Sequence, residues 1–351
     1  MPVTWLHISD LHIREGDPYD RDVVLRSLVR SVRRFRERDD RKPDLLFATG
    51  DIAYSGRPEE YKIATDFLDQ ILEAAGLSRR RLYVVPGNHD VDRIVGRQLL
   101  RELPSRTAAD EYFRPGALWL HLRHKLESFV SWHDRYFNGI RRMPNNSTCG
   151  PVEQIRVRGI RLGILPVNTA LFCLDDDDHG RLSIGRRCFG DAVENHNLVG
   201  ADLKIALMHH PLEFISAVEN QSIRAGLVDH FDVILSGHLH RPSFAAVGMW
   251  TGRNLWCAAG ATYQTRDLPN TAYYATFNTD HVTIFPIRYE DQPREVWTVD
   301  PSIFPYGRDH LASFPVPCEP GFRSFRILGY DAGGSGRSLS RKKSTNRKRN
   351  Q

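Results

Sequence analysis

Five short stretches carry side chains that can do chemistry together: Asp10 and His12 in SDLH, Asp51 in TGDI, Asn88, His89 and Asp90 in PGNHD, His209 in LMHHP, and His238 with His240 in SGHLH. Side chains two apart on an extended segment point the same way, so Asp10 with His12, and His238 with His240, are each expected to offer two donors to one pocket. A carboxylate can bridge two cations through its two oxygens. Asp51 follows a glycine that lets the backbone come close, which makes it the natural shared ligand. Neutral imidazoles and an asparagine oxygen complete nitrogen and oxygen sites that suit Mn, Fe or Zn better than Ca, and the lack of thiolates argues against a structural zinc cage. The expected product is a pair of divalent metal ions.

Two such ions, roughly 3 to 4 Å apart, neutralise and position a phosphate and lower the pKa of bound water from about 15.7 to near 7, so that a metal-bound hydroxide is the nucleophile. His89 adjoins a ligand without being assigned to a metal. Asp90 is expected to hold its imidazole and favour the protonated form, leaving His89 to stabilise the transition state or protonate the leaving oxygen. One such motif is weak, because a lone histidine near a strand end is more often an ordinary polar group; five in order are not.

The elements that must place these residues are legible as well. Apolar runs at Trp5 to Ser9, Leu45 to Ala48 and Leu82 to Val85 end next to the motifs and read as strands. Between them Val24, Leu28, Val32 and Phe35 recur at helical spacing, as do Ala64, Phe67, Leu68, Ile71, Leu72 and Ala75 after Pro58. Strand alternating with helix means an α/β layered fold with functional groups at the strand ends. From Val91 to Gly150 the strand rhythm lapses, and Leu118, Leu122, Leu126, Phe129, Val130, His133 and Phe137 predict one face of a long helix in a helical insertion, 91–150. Strands resume at Gln154 to Val157, Ile160 to Leu165, Ile205 to Met208, Val233 to Leu235 and Leu255 to Ala258. Tyr273 to Phe277 and Val282 to Tyr289 read as a hairpin. The expected organisation is a catalytic domain over 1–300 containing the insertion, a C-terminal extension over 301–332, and a disordered basic tail over 333–351.

Several other clusters have plainer readings. His210 is taken as supporting or exposed, His121 and His124 as a solvated helix face, and Asp175 to Asp178 as a solvated acidic loop. Trp119 and Trp132 are taken as core rather than a base-stacking platform.

Composition bounds the rest. The chain has 351 residues, 41% hydrophobic and 26% charged, which excludes disorder and collagen-like repetition. Its five cysteines are scattered without a CxxC pair and read as buried thiols. No run approaches the roughly 20 apolar residues of a membrane helix, and the N-terminus lacks a secretory pattern, so a cytoplasmic protein with no membrane partner is expected. The net charge of +5 belongs to the tail, where seven lysines and arginines follow Asp331 with no acid among them. That tail could hold nucleic acid by counterion release.

The order DxH, GD, GNHD, H and GHxH resembles the calcineurin-like metallophosphoesterase superfamily, nearest to its cyclic-nucleotide phosphodiesterase-type branch; all five motifs are present between Asp10 and His240. The resemblance implies a four-layer α/β/β/α sandwich with the metals at the strand ends. It implies one metal on Asp10, His12, Asp51 and His240, and the other on Asp51, Asn88, His209 and His238. It further implies a phosphate-ester substrate, a nucleotide among the candidates, with a phosphodiester preferred to a monoester. The alternatives are a nuclease acting on DNA or RNA and a non-catalytic metal-binding interaction module.

Overall fold

Alternation along the first strand decides the layering. In the computed structural model, which describes residues 1–316 apart from 17–18, 38–40, 96–102, 115, 176–177, 250–251 and 267, β1 (Val3–Ile8) is buried along its whole length. Val3 and Trp5 face a core shared with a second sheet, whereas Leu6 and Ile8 face a core shared with helices. A strand covered on both faces is what a multilayer α/β protein requires. The chain continues through α1 (Tyr19–Arg36), β2 (Leu45–Thr49), α2 (Pro58–Ala75) and β3 (Leu82–Val85), then α3 (Arg106–Tyr112), α4 (Ala117–His124) and α5 (Glu127–Tyr136). The second half contains β4 (Glu153–Val157), β5 (Ile160–Pro166), α6 (Arg186–Val193), α7 (His196–Val199), β6 (Leu203–Leu207), α8 (Asn220–His230), β7 (Val233–Ser236), β8 (Ser243–Met249) and β9 (Gly252–Ala258). It closes with β10 (Thr271–Asn278), β11 (His281–Glu290), β12 (Val296–Val299) and β13 (Ala312–Pro315).

One sheet runs β12-β11-β10-β1-β2-β3 with β13 also on β11, and the other runs β4-β5-β6-β7-β9-β8. The two sheets pack on each other and are flanked by helices, so the protein has the mixed α/β architecture expected from the motifs. β1, β2 and β3 are mutually parallel, as are β5, β6, β7 and β9. The C-terminal ends of β1, β2, β3, β6 and β7 lead into the motif residues.

Three expectations change. The long insertion helix is two helices, α4 and α5, broken at Lys125 and Leu126. The break is enforced by burial. Lys125 is 1% exposed, its Nζ donates to the carbonyls of Leu171 at 2.8 Å and Cys173 at 2.6 Å, and burial pulls its pKa down to about 8. Leu118 is exposed rather than part of the buried face. Second, β8, β12 and α6 to α8 lie where no element was read. Third, β13 joins the sheet from within the stretch read as an extension; residues 317–332 and the basic tail 333–351 lie outside the described residues.

Behind the strand ends a buried polar chain crosses the first sheet. His7 Nδ1 is 2.5 Å from the Tyr273 hydroxyl and Nε2 is 2.8 Å from Thr49 Oγ1. Burial depresses the His7 pKa to about 3, with the Asp10 charge opposing only in part. The folded protein therefore keeps His7 neutral while the unfolded chain protonates it near 6.5, so its contribution to stability is present above pH 6.5 and is lost as pH falls toward 3. Urea denaturation of the metal-free protein between pH 6.5 and 4.5 should show His7→Gln losing stability less steeply than the parent, by about 1.4 kcal/mol per pH unit at most. Parallel slopes would mean that His7 does not stay neutral in the fold.

Candidate metal centre

The motif residues do not sit on extended backbone. Asp10, His12, Asp51, His238 and His240 have φ of 54°, 44°, 50°, 70° and 54°, in the left-handed region that side chains other than glycine, asparagine and aspartate rarely occupy. Pairing two residues apart on a strand is therefore not what aims them; left-handed turns immediately past the strands do. Such residues cost of order 1–3 kcal/mol each and persist where surrounding bonds over-determine them. Those bonds are present: Asp10 N–H donates to Gly50 O, Leu11 and His12 N–H both donate to Asp51 O, and Ile13 N–H donates to Ile52 O, all at 2.9 to 3.1 Å. The loops after β1 and β2 thus lock each other.

The locked loops bring all seven expected ligands together. Asp51 Oδ2 lies 3.3 Å from His12 Nε2 and 3.4 Å from His209 Nε2, and its Oδ1 accepts the His89 N–H at 2.8 Å. Asp10 Oδ1 is 3.3 Å from His240 Nε2. Asn88 Oδ1 is 3.1 Å from His209 Nε2 and 3.0 Å from His238 Nδ1. The donor atoms of Asp10, His12, Asp51 and His240 all fall within 4.8 Å of one another. His12 and His209 hand their Nδ1 protons to the backbone carbonyls of Tyr263 and Thr49, which leaves each Nε2 as the free nitrogen facing Asp51.

Two glycines make the packing feasible. At Gly87 a Cβ would overlap Asp51 Oδ1, and at Gly50, with φ +92°, it would strike the His209 ring.

Whether these residues fit metal ions is decided by what they lack. Asp10 and Asp51 are 0% and 1% exposed, and among the described residues no lysine or arginine pairs with either. Asp10 Oδ1 and His12 Nε2 are buried without a hydrogen-bond partner, although each has a polar atom 3.3 Å away. Lone pairs that converge without hydrogen-bond geometry on a buried negative pocket are what divalent cations require. The field is visible in the side chains. Burial opposes a charged His209, yet Asp51 lifts its pKa to about 9. Burial likewise works against the Asp51 carboxylate, but the His209 charge holds its pKa well below the ordinary value. Burial, reinforced by His209, drops His238 to about 4.

Asp90 does not hold His89. Its carboxylate accepts from the backbone N–H groups of Ile52, Ala53 and Gly87 and from the Tyr61 hydroxyl, at 2.9 to 3.2 Å. Burial and the Asp51 charge push its pKa up to about 6 against those backbone bonds. Asp90 is a clamp between the loops after β2 and β3. His89 Nδ1 instead meets the Tyr54 carbonyl at 2.7 Å, and burial lowers rather than raises its pKa. The signal for Tyr54 was its place three residues after Asp51, but nothing in its type marked it.

His210, with His209 and His238, forms a second close group of nitrogens. Its ring is engaged elsewhere: Nδ1 is 2.8 Å from Thr169 Oγ1 and Nε2 3.6 Å from Cys173 Sγ. The shell opens into a cavity of about 740 Å³ lined by Asp51, Asn88, His89, His238 and His240 together with Tyr54, Arg57 and Phe214.

Residues 3–242 match the family model described as calcineurin-like phosphoesterase. A metallophosphoesterase-like protein of Bacillus subtilis is 29% identical over 254 residues, 70% of this chain and 50% of its own length. A glycerophosphodiester phosphodiesterase of Enterobacter lignolyticus is 34% identical over 109 residues, 30% of this chain and 35% of its own. The chain thus spans half or less of the curated relatives it matches. Among solved structures, a dimetal phosphatase from Danio rerio superposes with a TM-score of 0.50 at 14% identity, covering 85% of this chain and 99% of that one.

The close approach of Gly87 to Asp51 gives a test. Gly87→Ala should weaken Mn²⁺ binding by about 10–100-fold in calorimetric titration, because it displaces the shared carboxylate. Gly190→Ala, in α6 with nothing near its absent Cβ, should bind as the parent does. Equal affinity in both variants would show that the contact does not set the position of Asp51.

Proposed function

This chain belongs to the calcineurin-like phosphoesterase family, and on that premise we propose that it is a dinuclear metal-dependent hydrolase of phosphodiesters. The observation that carries the reading is the buried donor shell around Asp51, with its unpartnered Asp10 Oδ1 and His12 Nε2. Asp10, His12, Asp51 and His240 would hold one ion, and Asp51, Asn88, His209 and His238 the other. Mn, Fe or Zn suits these nitrogen and oxygen donors. Bound there, the ions supply positive charge for the phosphate and a nucleophile from water at neutral pH.

The chain's own residues do the rest. Asp51, fixed by the His89 N–H and the loop bonds, sets the spacing of the two halves. Asp90 keeps the loops carrying Asp51 and Asn88 in register. His89, neutral before substrate arrives and anchored through Nδ1 on the Tyr54 carbonyl, has Nε2 as its working nitrogen. A phosphate anion beside it favours protonation, and Nε2 then passes that proton to the departing alkoxide oxygen. A diester is favoured over a monoester by the relative named for glycerophosphodiesters and by a cavity with side chains beyond the donor shell, Tyr54 on the His89 side and Phe214 against His238, for a second organic group.

Metal-stripped protein should hydrolyse bis(p-nitrophenyl) phosphate only after Mn²⁺ is added, and Asp51→Asn should abolish the rate. Metal-independent turnover would refute the reading. His89→Ala should cost about two orders of magnitude or more on a diester with an alkyl leaving group. It should cost far less on a p-nitrophenyl ester, whose leaving oxygen needs no proton. A uniform loss on both substrates would remove His89 as the proton donor.

A further inference from the structure

Beside the metal cavity lies a second cavity of about 650 Å³, formed between α2 and α5. The two share Pro58, Asp92 and Ser128 in their walls, so they adjoin and together form one path. Each is of a size that takes a small-molecule group. Behind its wall Trp132, Tyr61 and Tyr136 form buried core, with Trp132 stacked between the other two at 5.1 and 5.5 Å.

The charges along its rim are unequal in their engagements. Arg79 is held by Asp69 at 2.5 Å, Lys125 by two carbonyls, and Glu127 by His124 at 2.8 Å. The Asp92 carboxylate accepts the N–H groups of Ile94 and Val95. Two exposed cations remain, Lys62 on α2 and Arg135 on α5, neither with a carboxylate partner among the described residues, against one remaining acid, Asp66. Ser128 and Ser131 add hydroxyl donors to the same lining, Ser128 in the wall shared with the metal cavity.

The geometry points to this groove as a subsite for the next phosphate of a single-stranded oligonucleotide whose scissile phosphate sits at the metal centre. The inference rests on the phosphodiesterase reading and narrows it to an oligomeric substrate. A strand repeats its charge along its length, so a ligand entering the first cavity carries its next phosphate into the second. Two unpaired cations flanking serine hydroxyls match that anion. The groove is built from helices, so its cations stay at fixed spacing relative to the donor shell.

The test compares the full-length protein with Lys62→Glu, Arg135→Glu and the double variant. All four carry the same basic C-terminal residues, so differences report the groove. Fluorescence anisotropy of a labelled, hydrolysis-resistant ten-residue phosphorothioate oligothymidylate against Mn²⁺-loaded protein should show the double variant binding about tenfold or more weaker. The slope of log affinity against log salt should fall by about 0.7 per lost phosphate contact. Hydrolysis of bis(p-nitrophenyl) phosphate, which has one phosphate and does not reach the groove, should stay within about twofold of the parent. Equal oligothymidylate affinity in parent and double variant overturns the proposal, as does failure of the parent to bind it. An equal loss in both measurements overturns it too, because the effect then lies in the fold or the metal centre. If the parent binds the phosphorothioate but hydrolyses neither bis(p-nitrophenyl) phosphate nor unmodified oligothymidylate with Mn²⁺, the phosphodiesterase reading fails and the groove stands as a binding site alone.

Discussion

Two carboxylates buried without a lysine or arginine partner among the described residues are the constraint around which this protein is organised. Removing a carboxylate from water costs several kcal/mol even after relaxation, and Asp10 and Asp51 are both buried, with an oxygen of each within 4.8 Å of the other's. Part of the compensation comes from imidazoles and from backbone N–H groups, His238 N–H on Asp10 Oδ2 at 3.2 Å and His89 N–H on Asp51 Oδ1 at 2.8 Å. What remains is a negative pocket whose complement is a divalent ion. The histidines follow from the same constraint. Each must keep one nitrogen for a carbonyl so that the other can face the pocket, and Thr49 O and Tyr263 O serve that purpose.

A shell under that much charge needs a scaffold that does not yield. The parallel strands β1, β2 and β3 supply it: their loops start from hydrogen-bonded ends and exchange bonds with one another. Asp90 then ties the loop after β3 to the loop after β2 through three backbone N–H groups. Left-handed backbone at Asp10, His12 and Asp51 is tolerated because those bonds leave no cheaper arrangement. Behind the loops, Tyr273 holds His7 and His7 holds the hydroxyl of Thr49, whose carbonyl holds His209. The ligand is therefore fixed by a buried chain reaching across to β10.

The layering and the identity of the donor residues were legible in sequence because both are written in local patterns. Apolar runs such as Leu45 to Ala48 and Leu82 to Val85 mark strands, and the polar residues that follow them mark the site. Local pattern could not show how those residues are aimed. Two residues apart on a strand and two residues apart across left-handed turns look identical as DLH or HLH, since the choice between them is made by bonds to distant residues, Gly50 and Asp51 for the first and His209 and Asp10 for the second. The same limit explains Asp90. Adjacent to His89 in sequence, it looks like that residue's partner, but a three-residue helical turn, Asn88–Asp90, separates their directions and gives its carboxylate to the N–H groups of Ile52, Ala53 and Gly87. The helix break at Lys125 was invisible because its cause, the carbonyls of Leu171 and Cys173, lies in another part of the chain.

The turn at Asn88–Asp90 also explains why three consecutive residues do three different jobs. A 3₁₀ turn rotates each side chain by about 120°, so Asn88 faces the histidines, His89 borders the open cavity and Asp90 faces back into the loops. One short turn thereby joins the donor shell, the histidine at the cavity edge and the carboxylate that clamps the loops. The chain then leaves at Val91 along the wall of the metal cavity. Asp92 pairs its N–H with the Lys125 carbonyl at 2.8 Å, so the residue at the break between α4 and α5 is also the one that joins the insertion to the end of the loop after β3. The seam between the two cavities falls at that junction. Lys125 binds the loop at Leu171 and Cys173 from the same place, so the walls of the cavities beyond the donor shell are braced to one buried ammonium group.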